Sequence, residues 1–475
     1  MDRYVRVPIE EETPEERVEK FALIDQPYTL EEAVLEGQRC LQCAMPYCVQ
    51  GCPITQDCKG YNDLIARRDF DGAARLTLRE NPLATVLCKT CYHFCEDDCI
   101  MSGRGVPIAI RHLKRAALQY GKSDLLYVPS KPKHERIAVV GAGPTGLMAA
   151  WDLGVRGYSV TVFETEPFLG GQINTIPRYH LDADDLDTDL ARWKNLDITF
   201  LGGRKAGVDY TPKSLLAEGY EAVLVSVGAS SARELGIPGE HLPGVYHALP
   251  FLLAVNMGPG GLFGRHERKI IVIGAGDVAL DAARSARRLS GGGDVKLVYR
   301  RGPEDMKATE EERTGGEIEG VEYVFYRSPM AILGSDHVTG LVVQRTEHGP
   351  PDEKGRRTLV TVPNSEETID CDMIIVAVGE KADVTGFDPD LDFKFASMGW
   401  PEGKREGWMT DVPGVFATGG RSVVHAMGAG ERAAAAIDAY LAQKHARPAE
   451  ERPDPFGGPH PETPPPGYGG PTWTP

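Results

Sequence analysis

Residues 136–164 read RIAVVGAGPTGLMAAWDLGVRGYSVTVFE: an apolar run, a glycine turn, a segment of helical period, and a second apolar run ending on an acid. Strand, tight turn, helix and strand in that order form half of a doubly wound parallel sheet. In GAGPTG, Gly141 makes the turn, Gly143 lets the backbone approach a pyrophosphate, and Gly146 lets helix and strand pack, with Pro144 among them. The helix N-terminus adds N–H donors and the positive end of its dipole. Glu164, at the end of the second strand, sits where an acid accepts ribose hydroxyls.

The same order recurs at residues 268–301, RKIIVIGAGDVALDAARSARRLSGGGDVKLVYRR. Gly274, Gly276, Asp277 and Val278 form its turn, and Ala279 takes the third small position. Its second strand ends on Arg300 and Arg301, which would meet a 2'-phosphate where an acid would repel it, so NADP is favoured and NAD remains possible. After the first acid, EPFLGGQ offers Gly170, Gly171 and Gln172 as a second close approach to a pyrophosphate, which suits a tightly held FAD. The first unit is therefore read as the FAD site and the second as the nicotinamide site. Two further apolar runs, YEAVLVSVGAS and CDMIIVAVGE, read as buried strands, the latter carrying Gly379 just before its end. GVFATGG, with Thr418 and Gly419, precedes a last helix.

The 475 residues carry a net charge of -17, which argues against nucleic-acid or anionic-membrane partners. No signal peptide or apolar run of membrane length is visible, so a cytoplasmic protein is expected. Thiols there stay reduced, and dense cysteine patterns bind metal more often than they form disulfides. Eight of the ten cysteines fall in two bursts, CLQCAMPYCVQGCP (Cys40, Cys43, Cys48, Cys52) and CKTCYHFCEDDC (Cys88, Cys91, Cys95, Cys99). Cys58 and Cys371 stand apart and read as small buried packing residues. The first burst ends in Cys-Pro after the spacing of a ferredoxin run, and eight thiolates suffice for two 4Fe-4S clusters. Four-thiolate zinc sites are the competing use of paired CxxC motifs.

These features set the expected organisation: a helical domain with two 4Fe-4S clusters (1–125), an FAD-binding domain in two parts (126–255 and 381–445), an NAD(P)-binding domain (256–380), and a Pro/Gly-rich tail (446–475). The fold class is α/β, with two Rossmann-like domains behind the helical one. In the tail, Phe456, Tyr468 and Trp473 are candidate anchors.

With CLQC....C...CP, GAGPTGL, VTVFE, LGIPGE, IVIGAGDVALDAAR, VYRR and GVFATGG together, most of the chain resembles the small subunit of NADPH-dependent glutamate synthase. Relatives of that subunit include the large subunit of electron-bifurcating NADH-dependent ferredoxin:NADP oxidoreductase and the N-terminal half of dihydropyrimidine dehydrogenase. The resemblance implies a first cluster on Cys40, Cys43, Cys48 and Cys99. It implies a second on Cys52, Cys91 and Cys95 with a Glu or Gln from the following helix. That last position falls on Lys114, which cannot ligate while charged, so Cys88 is expected to complete the second set. Relatives also end the GVFATG strand with an Asp where this chain has Gly420, and carry Asn where it has Asp277. His425 reads as a surface or packing residue.

The expected function is transfer of electrons between NAD(P)H and a protein partner, ferredoxin or a larger enzyme's catalytic subunit, through FAD and two clusters. No side-chain acid or base is nominated. The alternative is a scaffolding or relay subunit with a vestigial nucleotide site, which Gly420 keeps open; a thiol or quinone reductase would need a CxxC beside the flavin.

Overall fold

The computed structural model describes residues 3–257, 263, 265–351, 357–448 and 450–456. Its first 120 residues form eight helices: α1 (Pro14–Glu19), α2 (Leu30–Gln38), α3 (Tyr47–Gln50), α4 (Cys58–Ala66), α5 (Phe70–Glu80), α6 (Ala84–Thr90), α7 (Phe94–Asp97) and α8 (Ile110–Tyr120). Their starts are written in the sequence. Thr29 accepts the Glu32 N–H while the Glu32 carboxylate accepts the Thr29 N–H, closing the capping box that begins α2. Asp57 and Asp69 cap α4 and α5. Loss of such a cap costs about 1 kcal/mol. The helices close on Tyr28, Tyr61, Ile65, Leu113 and Ala117.

Then come β1 (Arg136–Val140), α9 (Pro144–Val155), β2 (Ser159–Phe163), α10 (Asp185–Leu190), β3 (Ile198–Leu201), α11 (Pro212–Ala217), β4 (Ala222–Val225) and β5 (Ser231–Ala232). The second unit follows with β6 (Val245–His247), α12 (Ala248–Met257), β7 (Ile270–Ile273), α13 (Asp277–Leu289), β8 (Val295–Tyr299), α14 (Glu310–Ile318) and β9 (Glu322–Phe325). An antiparallel insert, β10 (Arg327–Gly334), β11 (Val338–Pro351) and β12 (Arg357–Asp370), leads to β13 (Met373–Val376). The chain ends with β14 (Glu380–Lys381), β15 (Lys394–Phe395), β16 (Pro401–Glu402), β17 (Val415–Ala417) and α15 (Val423–Lys444).

Two parallel five-stranded sheets result, ordered β17-β4-β1-β2-β3 and β6-β13-β7-β8-β9. β4, β7 and β13 are buried along their whole length, as strands covered on both faces must be. The first sheet is completed from far down the chain: Val415 pairs with Val223, and α15 packs on α9. The two connections between sheets run side by side, with Ala232 paired to Glu380.

The helical region is bolted to the first sheet by Asp189. Its carboxylate accepts the Thr85 and Val86 N–H groups at the start of α6, each at 3.0 Å. Burial pushes this carboxyl up to about 6 despite Arg192 beside it. The described part of the tail runs over the same half: Phe456 stacks on Tyr127 at 5.3 Å, and Arg452 pairs with Asp152 and Glu431. Tyr468 and Trp473 lie outside the described residues. Among those described, no helix is long and apolar enough to cross a membrane.

Candidate functional site: two cradles and two cysteine cavities

Both glycine turns leave open space at a helix N-terminus. Gly141 has φ +104°, and a Cβ there would fall 2.6 Å from the Ser226 carbonyl, so only glycine fits the turn. Gly143, the N-cap of α9, is different: its backbone is extended, and an added Cβ would meet nothing within 4 Å. Gly171 folds back over it, its Cβ position 3.0 Å from the Gly143 Cα. α9 has no side-chain cap, and its first N–H groups are donors to whatever enters this space. Glu164 accepts the Ala142 N–H at 2.8 Å and the Glu166 N–H at 3.0 Å, fixing the loop from the end of β2. Gln172 donates to the Ala229 carbonyl at 2.6 Å, and the Gly170 N–H to the Ala142 carbonyl at 2.9 Å. Pro144 opens α9, and Gly146 lies against the Gly141 carbonyl.

Across the sheet, the Thr418 N–H reaches the Val225 carbonyl and Gly419 abuts Trp400. Gly420 has a steric reason: a Cβ would fall 2.3 Å from the Ala426 N, because the chain turns at once into α15. No aspartate fits this backbone. His425 is a packing residue here, edge-on to Phe94 at 4.8 Å and beside Arg421. Burial, with Arg421 and Arg432 nearby, holds its pKa below the ordinary value.

The second cradle repeats the pattern. Gly276 caps α13 without a side-chain hydrogen bond, and a Cβ on it would meet nothing within 4 Å. Gly274 makes the turn beside the Ala377 carbonyl, and Val278 is half-buried behind it. Asp277 accepts the Thr309 N–H at 2.9 Å and takes a hydrogen bond from Tyr92; burial raises its pKa. Gly379, at φ +107°, accepts the Arg233 N–H. The two arginines after β8 separate. Arg300 is exposed, whereas Arg301 is buried, donates to the Arg357 carbonyl at 3.0 Å, and keeps an Nε without a partner. An open cradle with a bare helix start and an unsatisfied guanidinium nitrogen fits a phosphate-bearing nucleotide.

The cysteines surround two cavities. Cys40, Cys43, Cys48 and Cys99 line the first, with Tyr47, Asp98 and Ile100. Cys52, Cys58, Cys91 and Cys95 line the second, with Tyr61, Arg111, Lys114 and Val424. Cys88, expected in the second set, is not in that wall; its thiol donates to the Thr85 carbonyl at 3.1 Å along α6. Cys58, read from sequence as a packing residue, is buried in the helical core and also stands on that wall. Among the described residues, the groups of His, Cys, Asp and Glu ligand atoms lying within 4.8 Å of one another contain no cysteine. Four thiols on the wall of each cavity match the number of protein ligands that a 4Fe-4S cluster takes. Burial pushes Cys40 and Cys91 up to about 11. A thiol so placed ionises on binding metal.

The second nucleotide unit touches the second cavity. Arg111 of its wall pairs with Glu311 of α14 at 3.0 Å, and His93 with the same carboxylate at 3.5 Å. Next to it, His180 of the first unit meets Glu312 at 2.9 Å, with Asp281, Arg284 and the Tyr179 ring around them. Burial opposes a proton on His180, but Glu312 overcomes it and raises the imidazole's pKa. Burial likewise opposes charge on Glu312, and His180 and Arg284 bring it down to about 2. The His180 contribution to stability is thus full below about pH 6.5 and is lost as pH rises through the folded value. Glu312's share is lost only as pH falls toward about 2. Thermal stability is expected to fall above about pH 6.5, and His180→Ala to flatten that slope; an identical slope in the variant would contradict the pairing.

Comparison with known proteins agrees with this architecture. Residues 17–124 match the family described as dihydropyrimidine dehydrogenase domain II, 4Fe-4S cluster, and residues 135–439 match pyridine nucleotide-disulphide oxidoreductase. The chain is 34% identical over 442 residues to the NADP(+)-dependent formate dehydrogenase subunit beta of Moorella thermoacetica, covering 85% of this chain and 61% of that protein. It is 33% identical over 378 residues to the glutamate synthase [NADPH] small chain of Halomonas elongata, covering 76% of this chain and 79% of the relative. Among solved structures, FprA of Mycobacterium tuberculosis in complex with NADPH shares the fold at TM-score 0.54 and 22% identity, over 68% of this chain and 88% of its own.

Proposed function

This chain belongs to the family of FAD- and iron-sulfur-containing NAD(P)H oxidoreductase subunits related to the glutamate synthase small chain, and we propose that it passes electrons between NADP(H) and a protein partner through one FAD and two 4Fe-4S clusters. When bound, a flavin exchanges a hydride with nicotinamide and single electrons with clusters. The chain's own part is to hold these groups in order.

Gly141, Gly143, Pro144, Gly146, Glu164, Gly170, Gly171, Gln172, Thr418 and Gly419 would hold the flavin nucleotide. Gly274, Gly276, Asp277, Val278, Gly379, Arg300 and Arg301 would hold the nicotinamide nucleotide, the arginines favouring a 2'-phosphate. The observation that carries the order is Val424. It lies in the first turn of the helix that follows the Thr418–Gly420 turn, and it stands in the wall of the second cysteine cavity. That cavity is deep, with Cys58 and Tyr61 each 1% exposed, whereas Tyr47 and Ile100 of the first are 44% and 36% exposed. The second cavity therefore adjoins the flavin half and the first faces the outside, where a partner can approach. The partner is a one-electron acceptor protein or the catalytic subunit of a larger enzyme, in keeping with relatives named as subunits.

Anaerobic titration with NADPH and then NADH, with iron and flavin counted on the same sample, tests this. About eight irons and one FAD per chain are expected, with NADPH bleaching the visible spectrum and NADH working poorly. Arg300→Glu should weaken the preference for NADPH about ten- to a hundredfold. Iron without flavin would leave only a relay subunit, and an unchanged preference for NADPH over NADH in the variant would remove Arg300 from the site.

A further inference from the structure

We infer that Cys58 is the fourth protein ligand of the second iron-sulfur cluster, with Cys52, Cys91 and Cys95. This rests on the iron-sulfur reading above and deepens it. α8 brings Lys114 into the cavity wall, 5% exposed, at the position where the resemblance puts a carboxylate or amide ligand. An ammonium has three donors and no acceptor, so it cannot bond iron while charged. The cavity needs another ligand, and the fold supplies one.

Cys58 is the first residue of α4, set there by the Asp57 cap, whose carboxylate accepts the Gly60 N–H at 2.8 Å. α4 in turn packs through Tyr61 and Ile65 against Leu113 and Ala117 of α8, which fixes the direction of its N-terminus. The Cys58 thiol consequently lies in hydrogen-bonding contact with the thiols of Cys48, Cys52 and Cys95 and 3.9 Å from the Cys48 carbonyl; of these, Cys52 and Cys95 share with it the wall of the second cavity, which Cys48 does not line. Three chain segments, residues 52–58, 91–95 and α8, thereby enclose one space with four thiols on its wall.

Cys88 does not compete for this place. It is buried within α6, and its thiol is turned back on the Thr85 carbonyl of its own helix. To ligate, it would have to leave that bond and turn into a wall it does not line. Cys58 already faces the space. On ligation the Cys58 thiol proton passes to solvent as the Fe–S bond forms, and no electron is transferred. Lys114 and Arg111, both in the wall, then stand as donors and positive charge beside four thiolates, the arrangement that tunes cluster potentials.

The test compares the full chain, purified anaerobically, as wild type, Cys58→Ala, Cys58→Ser and Cys88→Ala. Iron, acid-labile sulfide and flavin are counted, and electron paramagnetic resonance is recorded as isolated and after dithionite. Wild type and Cys88→Ala are expected to match in iron and in spectrum. Cys58→Ala is expected to lose one cluster signal and up to about half the iron, or to show a three-iron signal as isolated, with flavin retained. Cys58→Ser keeps the side-chain volume, so the same spectral change in it cannot be charged to a collapsed fold. Unchanged iron and spectrum in both Cys58 variants overturn the assignment, as does loss of iron in Cys88→Ala alone. Absence of iron from the wild type would instead overturn the iron-sulfur reading itself, a result distinct from either.

Discussion

Replacing Gly143 by valine is expected to reduce bound flavin at least about tenfold while leaving the protein folded. The residue has φ -74° and ψ -179°, an extended conformation that a β-branched side chain accepts readily. A Cβ would touch no atom within 4 Å, so the substitution has no clash to resolve. The space it fills, however, is the one that α9 opens onto and Gly171 closes over. A substituent there blocks the approach of a pyrophosphate to the backbone donors. Gly141→Ala makes the contrast: at φ +104° with the Ser226 carbonyl 2.6 Å away, it should cost about 1–3 kcal/mol in folding before it affects any ligand. Flavin absorbance of the purified variants, set against far-ultraviolet circular dichroism, separates the two effects. Stoichiometric flavin in Gly143→Val would place the cofactor elsewhere.

Cys95→Ala is expected to cut electron delivery to a one-electron acceptor at least about a hundredfold, a barrier increase of about 2.7 kcal/mol. Bleaching of the flavin by NADPH should continue. Cys95 lines the deep cavity together with Val424, so its loss would remove a ligand of the centre proposed to lie between the flavin half and the exposed cavity. The nucleotide cradles, at Gly143 and Gly276, are built from other elements and keep their geometry. Steady-state reduction of an artificial one-electron acceptor, compared with single-turnover flavin reduction, checks both halves of the statement. Equal loss of the two rates would mean that Cys95 supports the fold and not the route.

The doubly wound sheets were legible because burial on both faces writes an unbroken apolar run. Ile137–Val140 and Ile270–Ile273 are such runs, and the glycines after them admit few other readings. The insert β10–β12 was not, because β12 is largely exposed and acidic, and its sequence carries little alternation to mark a strand. Arg300 and Arg301 read as one basic pair, yet neighbours at a strand's end face opposite sides, and the structure turns only Arg301 inward. Gly420 read as a lost flavin contact, whereas the Ala426 backbone beside it leaves no room for a side chain. Cys58 was set aside because a lone cysteine resembles a packing residue. Its nearness to Cys52 and Cys95 depends on how α4 packs on α8, which no local spacing encodes.

The order of the centres is the core of the account, and low-temperature electron paramagnetic resonance of NADPH-reduced Cys43→Ala and Cys95→Ala tests it most directly. With the exposed centre removed in Cys43→Ala, NADPH should still reduce the deep centre at about the wild-type rate. With the deep centre removed in Cys95→Ala, the flavin should be reduced and the exposed centre should stay oxidised until dithionite is added. An exposed centre that NADPH reduces as quickly in Cys95→Ala as in the wild type would contradict the series arrangement.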